Sequence, residues 1–301
     1  MKSPWISGVR SVALTVPDLR RAEEFYTAVW QLTAADRSRD VLYLRGSGQD
    51  HHVLALHEVS GAPRILYVSL RARNAEALVR IAAAVSEAAG TVERDIAAAT
   101  DPAGGQRLVL RDPHGRRFEV VHADTLRQAE HPAPPDQPVR LAHVVLNSHD
   151  VPVAQNFLER ALGFVLADRT RIMAFMNCDL DHHSLAIGDT NNVALNHIAF
   201  AMPTLDAVMR GAGRMRDAGH PVEWGPGRHG PGDNAFSYFI DPFGIPIEYT
   251  AEIEQIDDSY RPGTPADWTW PSGRSDQWGV SGPPSARLKE AQRGVEFTPN
   301  F

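Results

Sequence analysis

Three residues far apart in the chain, His143, His197 and Glu248, each lie on a short apolar run that reads as a β-strand. The strings around them are LAHVVLNSHD, LNHIAFAMPT and FSYFIDPFGIPIEYTAE. Two imidazoles and one carboxylate are the ligand set of a non-haem Fe(II) centre, which keeps coordination positions open for reactants, and Mn(II) accepts the same donors. Between the first two residues lies CDLDHHSLAIGD with the pair His182 and His183, and before the last lie His229 and Tyr238. These groups can exchange protons, so the set holds the parts of a redox site together with its acid–base groups.

The elements that must position these residues are legible as an internal repeat. Residues 11–37, SVALTVPDLRRAEEFYTAVWQLTAADR, align with 143–169, HVVLNSHDVPVAQNFLERALGFVLADR. HHVLAL at 51–56 aligns with HHSLAI at 182–187, the stretch from Tyr67 with that from His197, and the stretch from Leu110 with that from Phe239. The offsets stay between 129 and 132 residues, so the halves are copies in register. Each half is itself two units of strand, helix and further strands. In HVVLNS the alternation puts His143, Val145 and Asn147 on one face and Val144 and Leu146 on the other. Asp150 is placed to cap a helix with Pro152 in its first turn, a Phe157, Leu158, Ala161, Leu162 stripe on one face, and Gly163 at its end. DPFG at 241–244 suits a type I turn joining the Tyr238 and Glu248 strands, and DPHG at 112–115 repeats it. Strands curled into a cup, with helices outside, is the economical arrangement.

Each candidate also has an ordinary reading. A lone histidine at a strand start is commonly a surface or hydrogen-bonded core residue; the combination of His143, His197 and Glu248 within the repeat is what points to a metal. His183 is a metal ligand, a structural residue or an acid–base group beside the metal, and a place on the strand before His197 favours the last. Strand alternation turns His182 away from its neighbour, towards solvent or an interface. Tyr238 alone would be a cross-strand packing residue, but beside Glu248 it reads as a phenol aimed into the cup. His229, in GRHGPG, is a plain loop residue or part of a mobile segment near the pocket. Cys178 reads as a small buried hydrophobe. The first half has Ser11 and Tyr67 where the second has His143 and His197, although Glu119 and the pair His51–His52 persist. One carboxylate without the two imidazoles at those positions is a poor transition-metal site, so no metal is expected there.

Composition bounds the class. At 301 residues the chain is long enough for two domains of roughly 150 residues each. Its 43% hydrophobic and 22% charged content is that of a globular protein. A formal charge of −7 without a Lys/Arg run argues against nucleic acid or an anionic membrane as partner. The single cysteine excludes an internal disulfide, and with no signal-like or membrane-length apolar run the expectation is a soluble, cytoplasmic protein. Residues 251–301 carry Trp268, Trp270 and Trp278, half of the six tryptophans, which predicts an extended arm packed over the cup or a neighbouring subunit.

On these motifs the chain resembles the two-domain type I extradiol ring-cleaving dioxygenases of the vicinal oxygen chelate superfamily. The resemblance covers residues 8–250, with its specific motifs in 143–248. It implies an α+β fold of tandem βαβββ units forming two cup-like half-barrel domains. The divisions expected are a non-metal-binding domain at 1–122, a Pro-rich linker at 123–140, a catalytic metal-binding domain at 141–250 and an arm at 251–301. It implies that His143, His197 and Glu248 bind iron, that His183 is the catalytic histidine, and that Tyr238 and His229 complete the acid–base set. The implied reaction is extradiol cleavage of a catechol-type ring by O2 in aromatic compound catabolism, in a protein that forms homo-oligomers as family members commonly do. Val145, Phe175, Asn177 and Phe236 are taken to shape the substrate pocket and leave monocyclic, biaryl, carboxylated and trihydroxylated catechols all open. Two alternatives are a glyoxalase-like metal-dependent isomerase or lyase, which commonly draws ligands from two half-sites, and a metal-free binding protein like the bleomycin-sequestering members.

Overall fold

The computed structural model describes residues 2–299, and the repeat reappears in it as two sheets of identical strand order. The first half runs β1 (Ile6–Val16), α1 (Leu19–Glu24, continued by a π-helical turn over Phe25–Val29), β2 (Thr33–Arg37), β3 (Val41–Arg45) and β4 (Leu54–Glu58). It then repeats the pattern as β5 (Ile65–Ala72), α2 (Ala75–Glu87), β6 (Thr91–Ala98), β7 (Gln106–Arg111) and β8 (Arg117–His122). The second half has β9 (Arg140–Ser148), α3 (Val151–Leu162), β10 (Val165–Arg169), β11 (Met173–Asn177) and β12 (Leu185–Asp189). Its second unit is β13 (Ala194–Ala201), α4 (Leu205–Asp217), β14 (Trp224–Arg228), β15 (Ala235–Ile240) and β16 (Pro246–Ala251), followed by α5 (Ala286–Ala291) and β17 (Val295–Glu296). The sheet orders are β2-β3-β4-β1-β5-β8-β7-β6 and β10-β11-β12-β9-β13-β16-β15-β14, with β17 added beside β13. This is the vicinal oxygen chelate architecture, α+β, with two half-barrels built from βαβββ units.

Local chemistry explains the elements. Asp150 accepts from the Val153 amide at 3.0 Å, Pro152 sits in the first turn, and Gly163 closes α3 at φ +69°. Asn74 and Thr204 cap α2 and α4 in the same way. In the DPFG turn the Gly244 amide donates to the Asp241 carbonyl, while Asp241 Oδ1 accepts from the amides of Phe243 and Ile245. Alternation then sorts the strands: Val144, Leu146, Ile198, Phe200, Ile247 and Tyr249 enter the main core, and their neighbours in sequence face the cup. Cys178 is buried in the same core. Among the described residues no helix is long and apolar enough to cross a membrane.

An aromatic cluster around Trp30 interlocks the halves. Trp30, just beyond α1, stacks on Tyr249 of β16 with centroids 3.6 Å apart and planes 8° from parallel, and meets the edges of Phe200 and Phe239 at 5.4 and 5.9 Å. The Tyr249 hydroxyl donates to the Trp30 carbonyl at 2.9 Å, and the Tyr26 hydroxyl donates to Asp241 at 2.9 Å. The first half therefore holds the outer face of the strand whose inner face carries Glu248. Replacing Trp30 by Ala removes this contact and leaves a cavity, a change that costs about 3–5 kcal/mol for a buried Trp. Urea denaturation should show a midpoint lowered accordingly; a midpoint close to that of the wild type would mean the halves are held together elsewhere.

Candidate active site

Strand register assembles the ligands. On the middle strand β13, Ala199 pairs with His143 of β9 on one side and with Glu248 of β16 on the other, and His197 lies two residues earlier on the same face. The methyl group of Ala199 leaves room between the three. Nε2 of His143 and Nε2 of His197 lie 3.3 and 3.1 Å from Oε2 of Glu248, and the ligand atoms all fall within 4.8 Å of one another. All three side chains are buried. Burial raises the Glu248 pKa, but the two imidazoles outweigh it and hold the carboxylate well below its usual range. Glu248 Oε1 has no hydrogen-bond partner although buried. His197 Nδ1 lies 2.8 Å from Asn196 Oδ1; a proton on Nδ1 satisfies that contact and leaves the Nε2 lone pair facing Glu248. Two imidazole nitrogens, an ionised carboxylate and an unpartnered oxygen fit a divalent transition-metal ion.

The proton-exchanging groups surround this set. Tyr238 on β15 pairs with Glu248, and its hydroxyl lies 3.4 Å from His197 Nε2 and 3.1 Å from His229 Nε2. Burial, reinforced by Glu248, pushes the phenol well above its ordinary pKa, so it keeps its proton. Burial lowers His229 to about 4. His183 is driven well below its ordinary value by burial and by the surrounding histidines, so it too is neutral near pH 7. Its ring centroid is 4.5 Å from that of His143, yet it is not one of the three converging ligands. Gly232, at φ +84°, brings backbone against it: a Cβ there would lie 3.0 Å from His183 Cε1.

Several expectations change at this point. His182 is wholly buried rather than turned to solvent. Its Nδ1 lies 3.0 Å from His183 Nδ1 and its Nε2 3.0 Å from Asp168 Oδ2, which also accepts from the Tyr260 hydroxyl at 3.2 Å. Alternation misplaced it because residues 182–184 form a bend ahead of β12 instead of a strand. Val145 and Phe175 line the cavity as expected, but Asn177 and Phe236 do not. The Asn177 amide donates to the carbonyls of Asp179 and Asp181, tying the loop that leads to His182 and His183. Phe236 stacks on His229 at 4.0 Å and supports it from behind. The segment of His229 is hydrogen-bonded into place, through His229 N to the Asn234 carbonyl and Glu254 N to the Gly232 carbonyl.

Comparisons agree with this geometry. The sequence pattern of the Glyoxalase/Bleomycin resistance protein/Dioxygenase superfamily matches residues 8–120 and 140–249. The chain belongs to this superfamily. It is 35% identical over 164 residues to metapyrocatechase 2 of Cupriavidus necator, covering 54% of this chain and 46% of that one, so the match spans about half the length of the relative. It is 24% identical over 261 residues to the manganese-dependent 2,3-dihydroxybiphenyl 1,2-dioxygenase of Geobacillus genomosp. 3, covering 77% and 80% of the two chains. The crystal structure of a Mn(II)-bound glyoxalase from Novosphingobium aromaticivorans superposes with a TM-score of 0.87 at 30% identity, over 94% of both chains.

Within the superfamily fold the first half is a control. Ser11, Ser69 and Glu119 occupy the register positions of His143, Ala199 and Glu248. Glu119 accepts from Ser69 Oγ and from Arg107, each at 3.0 Å, and Arg10 stands 3.9 Å away while pairing with Asp101 and Asp124. Guanidinium groups answer the carboxylate here.

The C-terminal arm closes the cup of its own chain. Beyond β16 it bridges Gln255 to Asp181 and Gly263 to Asp168, then forms α5 and pairs β17 with β13. Trp268 and Trp270 line a cavity of about 540 Å³ that contains His143, His183, His197 and Tyr238. Trp278 lies outside that wall, under the Arg228 guanidinium at 4.9 Å. Sequence reading found the arm through its tryptophans but could not choose its target, and nothing local marked Asp168 or Tyr260, since the ADR of residues 167–169 is also present at 35–37. Ending the chain after Ala251 should expose the cup, lower the melting temperature and increase binding of an apolar dye such as ANS. Unchanged melting and dye binding would leave the arm without a structural role.

Proposed function

We propose that the protein is an extradiol dioxygenase that opens a catechol-type ring with O2 at an Fe(II) ion held by His143, His197 and Glu248. The reading rests on one observation above all: His143 and His197, with Glu248 3.3 and 3.1 Å from them, line a single cavity with neutral His183 and the Tyr238–His229 pair, none of which belongs to the three-donor set. When bound, the metal links the electron-rich ring to O2 and lowers the pKa of a coordinated substrate hydroxyl. The protein supplies the remainder. His143, His197 and Glu248 approach from three adjacent strands on one face, so the catechol oxygens and O2 approach from the cavity side. Tyr238 and His229 hydrogen-bond a substrate oxygen. His183 has its Nδ1 engaged by His182, which leaves Nε2 to take a proton from a substrate hydroxyl and to return it. The apolar walls exclude water from the reacting groups. Both oxygen atoms enter the product, and no external electron donor is needed.

A metal-dependent isomerase or lyase reaction is the competing reading, favoured by the likeness to the Novosphingobium aromaticivorans glyoxalase. Against it, all three donors come from one half, and the equivalent positions in the other carry Ser11 and Tyr67. Oxygen uptake on a panel of catechols by anaerobically Fe(II)-loaded protein decides: uptake supports the dioxygenase, and conversion without uptake supports the competitor.

Two variants test the assignments. Glu248→Ala should be isolated without iron, whereas Glu119→Ala should retain about one ion per chain; stoichiometric metal in both would overturn the ligand assignment. His183→Phe should keep its iron while turnover falls by about 10²–10⁴-fold, the usual loss with a general acid–base group. Iron-free His183→Phe protein would make the residue a ligand, and wild-type turnover would remove it from the chemistry.

A further inference from the structure

Four histidines and a phenol of the cavity gather at one end, where His143, His197, His183, His229 and Tyr238 meet. Large apolar side chains dominate the rest of the wall, Ile172, Met173 and Phe175 from the side of β11 and Trp224, Trp268 and Trp270 from β14 and the arm, with the uncharged polar Thr170, Asn196, Ser275 and Gln292 among them. At about 540 Å³ the space lies within the range of roughly 300–1,000 Å³ of sites that enclose whole drug-sized ligands, more than a bare dihydroxylated ring fills. Two of the wall residues are large hydrophobics left open to water, Ile172 at 64% and Trp270 at 40% exposure. Among the described lining residues only Arg171 carries a permanent charge, and it is exposed. An anionic group on the ring would lie among indoles without a buried cation to pair with, an unfavourable placement.

We infer that the substrate is an uncharged catechol bearing a bulky apolar substituent, an aryl group being the best fit, which lies between the arm tryptophans and the β11 wall. This deepens the dioxygenase reading and rests on it. The diol end is fixed by the metal set and by Tyr238 and His229, while the substituent covers the exposed faces of Ile172 and Trp270. Aromatic walls grip a flat apolar group through stacked and edge contacts.

The test uses the full-length, Fe(II)-loaded protein with catechol, 3-phenylcatechol and 3,4-dihydroxyphenylacetate. Anaerobic calorimetry should give 3-phenylcatechol a dissociation constant at least about tenfold below that of either other ligand, and kcat/KM should follow the same order, a modest span for an added group filling an apolar pocket. Trp270→Ala, and separately Ile172→Ser on the opposite wall, should each reduce the preference for 3-phenylcatechol over catechol; the second change is at an exposed site and should fold normally. Tighter binding of catechol or of the carboxylated ligand overturns the inference, and in the latter case Arg171→Gln should abolish the advantage. A preference unaltered in both wall variants overturns it as well. If no catechol supports O2 uptake, the dioxygenase reading itself falls, and this inference with it.

Discussion

A carboxylate buried at the floor of an apolar cup must be compensated, and the second half is arranged around doing so for Glu248. Isolated, such a charge costs several kcal/mol even after the surroundings relax. Glu248 stays ionised because His143 and His197 approach the same oxygen from neighbouring strands. The other oxygen makes no hydrogen bond, with His229 Nε2 3.8 Å away, and so keeps a lone pair open for a metal. The first half faces the same problem with Glu119 and solves it with permanent charge. Arg107 and Ser69 hydrogen-bond it, and Arg10 links it to Asp101 and Asp124. A guanidinium cannot give up its proton in a protein and offers no lone pair, so Arg107 and Arg10 balance the Glu119 charge without adding donors to it. One position in the repeat thus has two outcomes, decided by whether its neighbours can donate electrons or only protons.

The precision of the donor set depends on contacts made on the opposite faces of its strands. Each candidate ligand is flanked in sequence by core residues: Val144 beside His143, Ile198 beside His197, Tyr249 beside Glu248. Because strand side chains alternate, packing that fixes Tyr249 also fixes the direction of Glu248. Tyr249 is fixed by Trp30, a residue of the other half. The first half is therefore a structural part of the second half's candidate site. Asp241, in the turn just before β16, is pinned from the same side by Tyr26, and burial lifts its pKa to about 6.

Most of this was legible in the sequence where the information is local or periodic. The repeat forecast identical strand orders, period-two alternation put His143 in the cup, and Asp150, Pro152 and Gly163 bounded α3. Equivalent positions in the repeat singled out Glu119 as the counterpart of Glu248. What escaped was set by tertiary contact. His182 broke the alternation because its segment is a bend, and a buried bend can direct consecutive side chains to one network. Asn177 and Phe236 stand near the site but serve it indirectly, one by holding a loop and the other by backing His229. The arm announced its packing through its tryptophans, yet its destination depends on shape complementarity with β13 and the cup mouth, which no periodicity encodes.

The arm also reaches the donor set through a chain of side-chain amides. The Gln292 carbonyl accepts from Asn147, whose own carbonyl oxygen accepts from Asn196, and Asn196 in turn accepts from His197 Nδ1. Every link is an amide or imidazole with its donor and acceptor roles fixed by the next, so the direction of the chain sets the His197 tautomer. Second-layer partners of this kind orient a metal-binding imidazole and tune its basicity. Asn147 is fully buried, so losing its contact with the arm would leave its amide protons dependent on Asn192 alone or on entering water. The same segment that closes the cup thereby favours the form of His197 that can bind a metal. Cover of the cup and the orientation of His197 thus share one hydrogen-bonded segment of the chain.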